Sequence, residues 1–320
     1  MNRFSIGQAW SHATGFFSGN AANHAIVLIG IGILVPLVLQ WVIIGNPMAN
    51  AFNPAVMAGN PTMMAGMGVG LIVISLLSYV LQFGSYFSSW RLGITDAGDL
   101  PGGLRFGMIA GAVLVGLMIA TIVVLAAVAY AISPWLAIPF ILVLMLFFIV
   151  IYPWLFGFMA ILFLLLAAFG SYALTSMAPM MGGTAAGGSG VMVILLVAFG
   201  ALCLWLAARL CCTGPSMADR SEYLPFQALK RSWSMTSEGQ WRIVGYFLLI
   251  GLVLFVLAII LGLLVGSSFQ SMMMGGGVPG FGTIILLTLI VSIPMAYFTV
   301  AVPAGIYRAL GHESAGEVFA

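Results

Sequence analysis

The softest metal ligands in this sequence come in three groups. Met48, Met57, Met63, Met64 and Met67 occupy one stretch, Met177, Met180 and Met181 a second, and Met272, Met273 and Met274 a third. Thioethers suit Cu(I), so three loops bringing together Met63, Met64, Met67, Met180, Met181, Met272, Met273 and Met274 would make a copper-capturing surface. Against that stand the irregular spacing and the lack of any His or Cys in the same segments. Methionine is also an adaptable apolar filler, which accounts for the groups without a metal.

The remaining reactive side chains assemble into nothing. His12, His24 and His312 are never at metal-ligand spacing, and Cys203, Cys211 and Cys212 form neither a CxxC pair nor an even-numbered disulfide framework. Cys211-Cys212 beside Arg209 is a possible handle for redox chemistry or lipidation, but small apolar residues at a helix end explain it as simply. Catalysis needs a nucleophile beside a base, or paired carboxylates. Asp96, Asp99, Asp219, Glu222, Glu238, Glu313 and Glu317 have no such motif around them. Asp99 precedes Pro101 and Gly102-Gly103, where a carboxylate caps a helix start. The expectation is a non-enzymatic protein with no cofactor.

The elements that carry these residues belong in a membrane. Of 320 residues, 63% are hydrophobic and 5% charged, against roughly a quarter charged in an ordinary soluble domain. Mean hydropathy is +1.21. A bilayer core about 30 Å thick takes about 20 apolar residues per helical crossing, and uncharged apolar runs fall at 25–44, 68–90, 106–131, 191–208, 243–266 and 282–307. The first of them reads as a retained span, longer than a signal-peptide core. A further apolar block covers 135–172, and charge placement decides how often it crosses. All nine Lys and Arg lie at Arg3, in 91–105, in 209–242 and at Arg308, whereas the connections 45–67, 132–134, 177–190 and 267–281 carry no charge. Positive residues in short loops stay cytoplasmic. With the N-terminus inside, Arg105 and Arg209 share a side only if the block crosses twice, as 135–152 and 154–172 about Tyr152-Pro153-Trp154. The fold expected is all-α and integral to the membrane, with about eight transmembrane helices and both termini cytoplasmic. The uncharged connections, rich in Gly, Met, Asn and Pro, read as turns and loops.

Two short amphipathic interfacial helices complete the picture, over 4–18 and 222–236. In the second, Phe226, Leu229, Trp233 and Thr236 recur on one stripe, with Gln227, Lys230, Arg231 and Ser234 on the other faces. In the first, Ile6, Trp10, Ala13 and Phe17 recur similarly. Lys230, Arg231, Trp233 and Arg242 are the candidate contacts to lipid headgroups. Gly103, Gly107 and Gly111 repeat every four residues, a face on which helices approach closely, either within the bundle or in a homodimer. By this threading no Asp, Glu, Lys, Arg or His sits mid-membrane, which disfavours a proton-driven pump. Pro36, Pro294 and Pro303 should kink their helices.

The stretch Pro225-Phe226-Gln227-Ala228-Leu229-Lys230-Arg231-Ser232-Trp233-Ser234-Met235-Thr236, followed by Trp241-Arg242-Ile243, resembles the membrane region associated with glycerophosphoryl diester phosphodiesterases, a bacterial family. The opening Phe4-Ser5-Ile6-Gly7-Gln8-Ala9-Trp10 is similar to that family's usual start. The resemblance extends over most of the chain, with 135–152 and 154–172 as additions. It implies a setting near phospholipid metabolism in a bacterial inner membrane. The phosphodiesterase activity belongs to a separate soluble domain rich in metal-binding carboxylates and histidines, so no catalytic residue carries over.

The sequence therefore reads as a multi-pass bacterial inner-membrane protein linked to membrane lipid or envelope organisation. Its partners would be anionic lipids of the cytoplasmic leaflet, with a further protein or a second copy of the chain, and no nucleic acid. The competing reading is a passive transporter, permease or pore for a small or lipidic substrate. A continuous polar cavity between the spans at 68–90, 106–131 and 191–208 would favour it.

Overall fold

A chain immersed in hydrocarbon must satisfy its backbone groups internally, and helices do this segment by segment. The computed structural model describes residues 4–44, 61–95, 99–132, 151–153, 159, 186–273 and 281–316, and among them every regular element is helical. Helix α1 covers Ile6–Gly15. Ala21–Ala25, a π-helical stretch Ile26–Leu34 and Val35–Ile44 run on as one helix, α2. Then come α3 (Pro61–Ile94), α4 (Leu100–Ile132), α5 (Ala186–Leu210), α6 (Thr213–Arg220), α7 (Pro225–Met235), α8 (Gln240–Met273) and α9 (Phe281–Gly316). Six helices among the described residues, α2, α3, α4, α5 with α6, α8 and α9, are long and apolar enough to cross a membrane. The expected spans 135–152 and 154–172 lie almost wholly outside the described residues.

Lipid removes the hydrophobic drive between helices, so close packing and hydrogen bonds must hold the bundle. The α3–α4 seam uses the glycine stripe. A Cβ at Gly111 would lie 2.5 Å from the Gly84 nitrogen, and one at Gly107 would lie 2.5 Å from the Ser88 nitrogen. Gly103 rests on Leu92. The stripe thus serves the internal bundle. Between α2 and α3, Gly32 lies against Ser85, and His24 Nδ1 stands 2.6 Å from Ser89 Oγ. The π-helical stretch ends two residues before Pro36, whose ring crowds the preceding turn and whose missing amide breaks the regular ladder. α9 continues through Pro294 and Pro303.

The densest packing lies where the arginines gather. Trp90 is wholly buried, donates its indole N–H to the Val300 carbonyl at 2.9 Å, and has Gly214 of α6 over its ring. Arg91 donates to the Ala218 and Asp219 carbonyls at 2.7 and 3.0 Å, tying α3 to α6. Arg308 lies over the Phe16 ring and donates to the Gly93 carbonyl. Along the spans away from this end, bulky aliphatics such as Ile72, Val73, Val123, Val124 and Leu286 face outward, where hydrocarbon is as good a neighbour as another side chain.

α1 is seated on the bundle by its small residues. Ala9 and Ala13 are buried, Gly305 of α9 approaches within 2.9 Å of the Ala13 nitrogen as measured from an added Cβ, and Ile6 and Trp10 turn outward. The stripe Ile6, Trp10, Ala13, Phe17 is therefore divided: Ile6 and Trp10 face away from the bundle, whereas Ala13 is buried and Phe17 packs on His24 and Tyr297.

Candidate functional site at the α6–α7 turn

The α5–α8 connection is built by local chain chemistry. α6 ends at Ser221, a left-handed residue (φ 56°), with the Glu222 amide bonded to the Met217 carbonyl at 3.0 Å. This reversal returns Glu222 toward α7, where its carboxylate forms an ion pair with Arg231. Leu224 is extended and Pro225 opens α7, the first-turn position where a missing amide costs nothing.

α7 then locks onto the end of α5 through two hydroxyls one turn apart. Ser232 Oγ donates to the Arg209 carbonyl at 2.9 Å and accepts from the Cys212 amide at 3.2 Å. Thr236 Oγ1 donates to the Ser232 carbonyl at 2.8 Å and lies 3.1 Å from the same Arg209 carbonyl. Helix ends leave carbonyls without intrahelical partners, and here α7 supplies one. Pro225, Ala228, Ser232 and Thr236 form the buried side of α7. Each residue of the Ala-Leu-Lys-Arg-Ser-Trp-Ser-Met-Thr segment that touches the bundle thus has a physical role.

Phe226, Lys230 and Trp233 share the opposite side, at intervals of four and three residues, and all three are exposed. Phe226 is 64% exposed, and the neighbouring Trp241, at the start of α8, is 71% exposed. The Arg209 guanidinium lies 4.3 Å from the Trp233 ring centroid, and Trp205 meets the same ring edge-on at 5.4 Å. Arg242, also exposed, donates to the Phe4 carbonyl at 3.0 Å and so joins this region to the chain before α1. A depression lies nearby, about 250 Å³ in volume, between Arg91, Thr95, Asp99 and Arg105 on one side and Ser221 and Tyr223 on the other. Asp99 Oδ2 accepts from the Gly102 amide there at 3.2 Å, capping α4.

Of the four headgroup candidates, Lys230, Trp233 and Arg242 are exposed at this face, and Arg231 is half-buried in its ion pair. The helix is rotated from the expected stripe, since Thr236 points inward and Leu229 is partly buried. The Arg209 carbonyl and the two hydroxyls were missed; Ser232 and Thr236, one turn apart just before a span, were the signal for them. The methionines fall on different elements. Met63, Met64 and Met67 lie in the opening turns of α3, beyond the loop where the sequence placed them, and Met272 and Met273 close α8. Met180, Met181 and Met274 lie outside the described residues.

Residues 187–314 match the family described as the membrane domain of glycerophosphoryl diester phosphodiesterase. The match runs from α5 through most of α9 and includes the α6–α7 turn, while α1 to α4 lie outside it. It is shorter than the resemblance over most of the chain that the sequence suggested. No curated protein and no solved structure matches the chain.

Proposed function

We propose that this chain is a non-enzymatic protein of a bacterial inner membrane, whose α6–α7 turn lies on the cytoplasmic leaflet and collects anionic lipid. The family match supports a setting in the membrane, near glycerophospholipid chemistry. The observation that carries the reading is the outward side of α7. Phe226 and Trp233 bracket Lys230 on a helix whose small side is already seated in the bundle. Aromatic rings and a snorkelling lysine match the boundary between acyl chains and headgroups. Five arginines, Arg91, Arg105, Arg209, Arg242 and Arg308, stand at the same helix ends, as the positive-inside rule requires for cytoplasmic termini. The role is one of organising lipid or a partner protein at that surface.

The test uses the whole chain in vesicles mixing phosphatidylglycerol and phosphatidylcholine, with spin-labelled lipids reporting the first lipid shell. A basic residue near an anionic surface contributes about 1 kcal/mol, so Lys230→Gln should lower the preference for phosphatidylglycerol at its site by about fivefold. Arg231→Gln should have a smaller effect, because Arg231 already faces Glu222. An unchanged preference in both Lys230→Gln and Lys230→Glu would refute the lipid-facing role.

A further inference from the structure

A polar groove opens elsewhere, among α2, α3 and α9, in the half of the bundle where α2 ends and α3 and α9 begin. Its volume is about 270 Å³, and its lining includes the amides and hydroxyls of Gln40, Ser75, Ser78, Gln82, Thr288 and Ser292, together with Tyr79. This is not the place, between α3, α4 and α5, where a transport cavity was sought from the sequence. Amides and hydroxyls at such depth are costly to leave facing hydrocarbon. Six of them from three helices converge on one volume, whereas Leu77 and Val73, on another side of α3, face outward as ordinary lipid-facing aliphatics. The helices are also irregular here. The π-helical stretch of α2 supplies Gly32 and Ile33 to the wall, followed by Pro36, and π-helical turns recur at functional sites.

The groove ends abruptly toward the arginine-rich half. Gly32 presses on Ser85, Gln82 Nε2 donates to the Tyr86 hydroxyl at 3.1 Å, and Tyr86 meets Tyr152 edge-on at 5.9 Å. Below lie the buried rings of Phe87 and Trp90. Among the described residues, these side chains fill the space below the groove.

We infer that this groove binds a small, uncharged, hydroxyl-rich ligand, presented from the side of the membrane opposite the arginines. Its lining residues include no acidic, basic or imidazole side chain, so an ion would enter without a compensating charge. Glutamine and hydroxyl side chains both donate and accept, which matches ligands that do the same. The volume falls just below the roughly 300–1,000 Å³ of drug-sized pockets, so the ligand has few heavy atoms within it. A free polyol and the uncharged hydroxylated head of a lipid share this chemistry. The inference stands apart from the lipid-contact reading of α7, which involves none of these residues.

The test places a cysteine in the groove of the full-length protein in proteoliposomes. A thiol in water reaches its reactive thiolate and one facing lipid does not, so Ser78→Cys should react with a small water-soluble thiosulfonate at least about tenfold faster than Leu77→Cys. Wild-type protein gives the background, its Cys203, Cys211 and Cys212 being buried. Erythritol should slow Ser78→Cys labelling, halving the rate when half the grooves are filled, and Thr288→Val should weaken that protection. Diacylglycerol in the bilayer is the second arm. Protection by either compound supports the site and identifies its source. Equal rates for Ser78→Cys and Leu77→Cys, protection by neither compound, or equal protection by sodium glutamate would overturn it.

Discussion

Gly107→Ala probes whether the bundle is held by backbone approach along α3 and α4. A methyl at that position would overlap Ser88 Oγ and the Gly84 carbonyl and lie 2.5 Å from the Ser88 nitrogen. Two of those atoms are backbone, so no rotamer change relieves the clash and α4 must retreat. Ordinary contact begins near 3.4 Å, which sets the retreat at about 1 Å, enough to forfeit up to roughly half of each dispersion contact along the seam. Overpacking of this kind costs about 1–3 kcal/mol. Alanine's helix propensity returns up to about 1 kcal/mol, and Gly116→Ala isolates that return, because Gly116 is exposed on the same helix with nothing within 4 Å of an added Cβ. The difference between the two variants should therefore be about 1–3 kcal/mol, with Gly107→Ala the less stable. Reversible unfolding of the purified protein against a rising mole fraction of denaturing detergent measures it. Stabilities of the two variants agreeing within about 0.5 kcal/mol, the scatter of ordinary surface substitutions, would refute the seam as described.

Other outcomes follow from single contacts. Ser232→Ala removes a donor to the Arg209 carbonyl and an acceptor for the Cys212 amide, and should cost about 1–3 kcal/mol in the same assay. Trp90→Phe leaves the Val300 carbonyl without its indole partner and should cost a similar amount, about 1–3 kcal/mol, with the loss visible as a lower melting temperature in detergent. Glu222→Gln breaks an ion pair whose side chains are 23% and 27% exposed. Such a pair contributes at most about 1 kcal/mol, so the variant should fold normally and differ from wild type less as salt rises.

The membrane class and the helical run of the chain were legible in composition and charge, because lipid admits few backbone solutions and sixty-three per cent apolar residues leave no polar shell. The glycine repeat on α4 was legible as a packing face; which helix it packs on was not, since the partner glycine, Gly84, belongs to another span. The rotations of α1 and α7 were decided only by tertiary structure. Periodicity orients an amphipathic helix in water, where bulky apolar side chains are driven inward. In a bilayer Phe226 and Trp10 lose nothing by facing out, and Ala228, Ser232, Ala9 and Ala13 are turned inward by the closeness they permit. The same physics hid the groove: Gln40, Ser78 and Thr288 lie on three spans far apart in the sequence, and only their packing brings them around one volume.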